Sequence, residues 1–173
     1  DNLISLALPT LENILSKNID IQLNHDLDLL MIFDTEANNL QDEEFNAFCI
    51  PFIKTIAEKY PNKIGYFTKN SSANKFQALK HIKELKLTVL GTQHNIFAEL
   101  PNTELSLQGN FSNELLTIDD KNDFRSSLDE YLNLCLDHSP NYRSGWIASL
   151  DHGVQKITPE ANIHLFIDQI RTK

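Results

Sequence analysis

The side chains best able to do chemistry in this sequence fall at the ends of apolar runs. Those runs end at Asp34-Thr35, Lys69, Thr92-Gln93-His94, Gly109-Asn110 and Asp151-His152-Gly153. Where strands alternate with helices, reactive groups gather in the loops after the strands' C-terminal ends, so these five places form the candidate site. Thr35 offers a hydroxyl that can donate to a carboxylate or cap the turn that follows. His152 closes an apolar run ahead of Gly153, a place for an imidazole that faces a cleft or one bonded to backbone. Asp151 beside it would repel an anionic ligand and favour the charged imidazole. Gln108 and Asn110 read as groups that satisfy backbone at a strand end ahead of any ligand contact. His94 reads as an exposed loop histidine, and His25, His81, His138 and His164 as solvated side chains on helix flanks or faces.

The remaining chemistry is sparse. Cys49 and Cys135 are the two cysteines, and each lies among apolar residues at helical spacing. That pattern suits buried, reduced thiols and points to the cytoplasm. Neither has an adjacent histidine, so no metal site is expected. The formal net charge of −9 argues against nucleic acid, because phosphate neutralisation needs surplus Lys and Arg. Only three arginines occur, Arg125, Arg143 and Arg171. None falls at a strand's C-terminal end, so no bidentate clamp for a polyanion is in place. No apolar run approaches the roughly 18 residues of a membrane helix, and no signal-peptide pattern opens the chain. The first residue is Asp1, which fits a processed product, a trimmed chain or a piece of a longer gene product.

These groups need elements to position them. Leu3 to Leu23 reads as a helical lead-in interrupted at Pro9. Leu27 to Phe33 is a continuous apolar run that suits a strand buried on both faces. Asp42 to Tyr60 is helical, with acids in its first turn and Pro51 bending it or splitting off its first turns. Lys63 to Thr68 is the next strand. A helix capped by Ser71 or Ser72 follows, with Phe76, Leu79, Ile82 and Leu85 inward. Strands are expected at Leu87 to Gly91, Glu104 to Gly109 and Gly145 to Leu150. A helix from Asp123 to Asp137 buries Phe124, Leu128, Tyr131, Leu132 and Cys135. The last helix opens at Thr158-Pro159-Glu160, with Thr158 as cap and Ile163, Phe166, Ile167 and Ile170 as its buried stripe. The 173 residues suit a single domain of class α/β. About five parallel strands with flanking helices would make a partial (β/α)8 TIM barrel.

Read in order, these strand ends resemble the C-terminal half of uroporphyrinogen decarboxylase. The family's pattern Q-x-x-x-G-A-D-x-x-x-x-F-D-S is met by Gln22, Asp28, Phe33 and Asp34, with Thr35 in the serine place. Leu40, Phe45 and Pro51 fall where the family's leucine, phenylalanine and proline fall. Gly91 matches the glycine of G-V-D-W, and Gln108-Gly109-Asn110 reproduces Q-G-N. Gly145 and His152-Gly153 follow G-x-x-x-x-L-G-H-G at matching spacing, and Thr158-Pro159-Glu160 and Asn162 follow T-P-E-N with Ala161 before the asparagine. Departures are Thr35-Glu36-Ala37-Asn38 for S-W-A-G, Gln93-His94 for D-W, Ser112-Asn113 for the Asp-Pro of Q-G-N-L-D-P, and Asp151 for the glycine before the histidine.

The resemblance implies a decarboxylase that removes acetate carboxyls from uroporphyrinogen, a tetrapyrrole, without metal or organic cofactor. The ring, protonated first, would act as its own electron sink, leaving binding, orientation and electrostatics to the protein. Carried over by position, Thr35 and His152 are implied to contact substrate carboxylates. The family's N-terminal half has no counterpart among these residues; it carries the carboxylate-clamping arginines, the aspartate that holds the pyrrole N–H groups, and a tyrosine of the pocket. Two readings follow. One is a decarboxylase-like half, inactive without an N-terminal half. The other is a non-catalytic, degenerate half-barrel used for binding or assembly. Open parallel edges also predict a homodimer or a missing partner segment.

Overall fold

The computed structural model describes residues 2–69 and 72–172. Its contacts divide the chain into two compact units, residues 1–88 and 89–173. Five parallel strands with flanking helices make this an α/β fold, that of a partial (β/α)8 barrel. No helix among the described residues is long and apolar enough to cross a membrane.

The first unit opens with helix α1 (Asn2–Leu23), which runs through Pro9 without the expected interruption. A proline inside a helix forfeits one backbone hydrogen bond, a loss that 22 helical residues absorb. Ser16 and Ile19 are the buried contacts of α1, and Tyr60 Oη ties it down by donating to Ser16 O at 3.0 Å and Asp20 Oδ1 at 2.7 Å. The chain turns at Asp26, whose φ of 58° is left-handed. Asp26 occupies the glycine place of the family pattern, and aspartate tolerates this region better than most residues.

Strand β1 (Leu30–Phe33) pairs in parallel with β2 (Ile64–Phe67), which pairs with β3 (Leu85–Val89). Between β1 and β2 lie a 3-10 turn (Glu36–Asn39), α2 (Asp42–Glu44), a π turn (Phe45–Cys49) and α3 (Ile50–Lys59). Pro51 thus starts a fresh α segment, as expected from its missing N–H. Neighbouring strand residues face opposite ways. Tyr66 packs on Phe45 of the helical layer at 6.4 Å between ring centroids, and Phe67 packs on Phe33 at 5.6 Å. Helix α4 (Ala73–Lys80) is capped by Ser72, whose hydroxyl accepts from Lys75 N at 3.1 Å; Ser71 lies outside the described residues. The expected helical stripe overruns here. His81 ends the helix, Ile82 and Leu85 continue through tight turns, and Leu85 opens β3.

The second unit carries a short helix the sequence did not signal, α5 (Ile96–Glu99), capped by Asn95. Strands β4 (Ser106–Gln108) and β5 (Trp146–Ile147) are parallel and shorter than expected. The pairing resumes past them at Phe111 and Leu150. Helix α6 (Lys121–Leu136) starts earlier than expected because Asp120, not Asp123, caps it, accepting from the amides of Asn122 and Asp123. Its inward set is the expected one. Helix α7 (Glu160–Thr172) buries Phe166, whereas Ile167 is 37% exposed, so the expected four-residue stripe is narrower. Thr158 makes no cap bond; its hydroxyl is buried without a partner.

Candidate functional site

In the first unit the loop after β1 is built on Asp34. Its amide donates to Phe67 O at 2.8 Å, continuing the strand pairing for one more residue. Oδ1 accepts from Ala37 N at 3.2 Å and Oδ2 from Tyr66 Oη at 2.8 Å. Burial, then the Asp34 charge, pushes the Tyr66 pKa far up, so the phenol stays a hydrogen-bond donor. Thr35 stands at the head of the 3-10 turn with no side-chain cap bond, because Asp34 caps the turn instead. Thr35 is exposed.

The far end of the same loop rests on a side chain the sequence reading passed over. Lys75 is buried at 4% exposure on α4. Its Nζ donates to Leu40 O at 2.7 Å, Ala37 O at 3.0 Å and Asn38 O at 3.3 Å. An ammonium has three donors, and all three are spent on one loop. The Phe45 ring lies 5.5 Å from Nζ and adds a cation–π contact. Read alone, Lys75 between Asn74 and Phe76 looks like a solvated helix charge, so no local signal marked it. Cys49 nearby is half-buried, and burial followed by the Asp34 charge lifts its thiol pKa to about 11.

In the second unit the loop after β4 is held from several sides. Gly109 has φ of 129°, and a Cβ there would sit 2.7 Å from Leu90 O, so both backbone conformation and space require glycine. Its carbonyl accepts from Tyr131 Oη at 2.7 Å and Trp146 Nε1 at 2.9 Å. Asn110 Nδ2 donates to His94 O at 2.8 Å and Gly91 O at 2.9 Å. That is the backbone role expected of it. Gln108 instead donates to Ser149 Oγ at 3.0 Å, a side-chain partner just past β5.

His152 is half-buried in the loop after β5. The residues on either side of it are anchored. Asp151 N donates to Phe111 O at 2.9 Å, and Asp151 Oδ1 accepts from Asn113 N at 2.8 Å. Asn113 Nδ2 donates to Gly153 O at 2.8 Å. The Asp151 carboxylate, expected to repel an anionic ligand, has one oxygen engaged by the β4 loop. Thr35 belongs to the first unit and His152 to the second.

Another concave surface of the second unit is a cleft of about 470 Å³ whose lining includes Thr92, His94, Phe97, Asn110, Tyr131 and His138. His138 is half-buried and not the solvated helix-flank histidine expected. Its ring stacks on Tyr142 at 4.5 Å and Phe97 at 5.2 Å. His94 is likewise half-buried, not exposed. Among the described residues, no group of three or more His, Cys, Asp or Glu side chains is placed to hold a metal ion.

The family model described as Uroporphyrinogen decarboxylase (URO-D) matches residues 2–173. The chain belongs to the uroporphyrinogen decarboxylase family. Among curated relatives, the uroporphyrinogen decarboxylase of Wigglesworthia glossinidia brevipalpis is 28% identical over 178 aligned residues, covering 96% of this chain and 47% of that protein. That of Gloeobacter violaceus is 24% identical, covering 99% and 49%, and that of Neorickettsia sennetsu 24% identical, covering 88% and 45%. The chain therefore spans about half the length of the curated relatives it matches. Within the family's signatures, Q-G-N builds the β4 loop just described. The asparagine of T-P-E-N is equally specific: Asn162 is buried, and its Nδ2 donates to Ile118 O at 2.8 Å and Leu116 O at 2.9 Å.

Proposed function

We propose that this chain is the C-terminal-half portion of a uroporphyrinogen decarboxylase-like barrel that binds a tetrapyrrole once an N-terminal half is supplied. The observation that carries this reading is the family match along residues 2–173, set against coverage of only about half of each relative. Thr35 and His152 are the residues that would meet substrate carboxylates, each at the C-terminal end of a parallel strand. Thr35 would donate from a hydroxyl that no cap bond occupies, and His152 from a ring N–H. Neither transfers the decisive proton; the pyrrole ring takes up the electrons of the broken carbon–carboxylate bond, and the protein orients the acetate and excludes water. No metal or organic cofactor is called for. The free thiols, Cys49 half-buried and Cys135 buried, support a reducing compartment such as the cytoplasm.

An open edge supports the need for a complement. Among the described residues β1 pairs only with β2, and Phe33 on it is 73% exposed. That edge takes either an N-terminal half or a second copy of the chain. The test is to mix the chain with the unmatched half of the Gloeobacter violaceus enzyme and assay coproporphyrinogen formation. Activity in the mixture and none in either half alone is the expected result. A defined complex without activity or tetrapyrrole binding would replace this reading with the second one, a non-catalytic half-barrel. That alternative is favoured by one observation: Arg125 and Arg171 lie on helices and Arg143 before β5, away from the strand ends where an octacarboxylate would sit.

A further inference from the structure

Two of the chain's departures from its family pattern meet in space. Proline gives way to Asn113, which restores a backbone N–H, and glycine gives way to Asp151, which adds a carboxylate. The N–H donates to the carboxylate at 2.8 Å. Each replacement supplies the group the other needs. The asparagine does more, because its side chain reaches Gly153 O at 2.8 Å. One residue of the β4 loop thus grips the chain immediately before and immediately after His152, while Asp151 N holds to Phe111 O at 2.9 Å.

We infer that Asn113 and Asp151 are paired positioning residues that fix the His152 loop of this chain. The inference rests on His152 being a ligand-facing residue for its purpose, but not for its geometry. A charge-assisted bond to backbone is among the stronger restraints a surface loop can have, and two bonds flanking a single residue leave its main chain little freedom.

The test uses the intact chain, isotope-labelled, with D151A, N113A, D151N and the D151A/N113A double variant. Amide exchange at Asp151, His152 and Gly153 should rise roughly tenfold in D151A and several-fold in N113A. The His152 imidazole resonances should shift and broaden in D151A. D151N keeps an acceptor oxygen for the Asn113 amide, so it should return both readouts to near the wild-type values. The double variant should exceed either single one, because D151A removes the bond from Asn113 N and N113A the separate bond to Gly153 O. Unchanged exchange and an unmoved imidazole signal in D151A, with the fold intact, would overturn the inference. Uroporphyrin titration of the assembled protein, wild type against H152A, is read separately. Equal binding there removes the ligand role of His152 and leaves the clamp standing.

Discussion

Replacing Lys75 with methionine isolates the interaction on which the β1 loop depends. Methionine keeps the length of the stem and removes the ammonium, so the three carbonyls of Ala37, Asn38 and Leu40 lose a buried donor at 3.0, 3.3 and 2.7 Å. Ala37 O keeps a second donor, the Leu40 amide at 3.3 Å, so the loss falls mainly on Asn38 and Leu40. A buried acceptor left without its donor costs about 1–3 kcal/mol. The lost cation–π contact over Phe45 adds roughly 0.5–1 kcal/mol. Against these stands relief from burying an ammonium, worth at least 1 kcal/mol even where the charge is well bonded. The balance is a destabilisation of about 3 kcal/mol, roughly two powers of ten in the local opening equilibrium. Lys75→Arg should fall between, near 1–2 kcal/mol, because a planar guanidinium cannot reproduce a three-way donor cluster. Urea unfolding gives the total, and native-state amide exchange at Glu36–Gln41 shows whether the loss is centred on the loop. Stability within about 0.5 kcal/mol of wild type would refute the reasoning, since the buried ammonium would then be tolerated and not structural.

Gly109→Ala should destabilise the second unit by roughly 3 kcal/mol, since its Cβ meets Leu90 O at 2.7 Å on a backbone at φ of 129°; thermal unfolding reads this directly. Asn162→Ala removes both donors to Leu116 O and Ile118 O and should cost about 2–3 kcal/mol, measured by urea midpoint. Asp26→Gly should stabilise by about 0.5–1 kcal/mol because φ of 58° suits glycine better; a lower melting temperature would contradict it. At pH 8 the Cys49 thiol, lifted from about 9 to about 11, should alkylate roughly 100-fold more slowly than a free cysteine. The same shift sets a sign for stability: an acid whose folded pKa is raised favours folding below the unfolded value. Its contribution declines as pH climbs from about 9 toward 11 for Cys49, and toward 12 for Cys135.

Periodic apolar patterns made most of the architecture legible. Leu30–Phe33, Ile64–Phe67 and the buried face of α6 all fall where apolar spacing put them. The misses have physical causes. Leu79, Ile82 and Leu85 keep helical spacing across a helix end, because each turn of the loop also advances the chain by three residues. Ile167 keeps the spacing of a buried stripe but faces out, since α7 buries a narrower face than its apolar content allows. Lys75 could not be recognised at all. Its three acceptors lie 35 to 38 positions away, and nothing in its neighbourhood distinguishes a buried ammonium from a solvated one. Long-range polar satisfaction of this kind exists only after folding.

The site illustrates a division within the family's own signatures. Gly109 supplies the carbonyl that Tyr131 and Trp146 grip, Asn110 closes the turn at Gly91 and His94, and Asn162 secures the segment around Leu116. All three are buried or half-buried; losing Asn110 or Asn162 would leave carbonyls without a donor, and a Cβ at Gly109 would displace the carbonyl that Tyr131 and Trp146 bond. The positions that would touch a ligand carry no such obligation. Thr35 needs no cap bond because Asp34 makes it, and at His152 the anchoring bonds fall on its two neighbours, Asp151 and Gly153. The signature residues that hold backbone are thus distinct from Thr35 and His152, the pair proposed to meet a ligand.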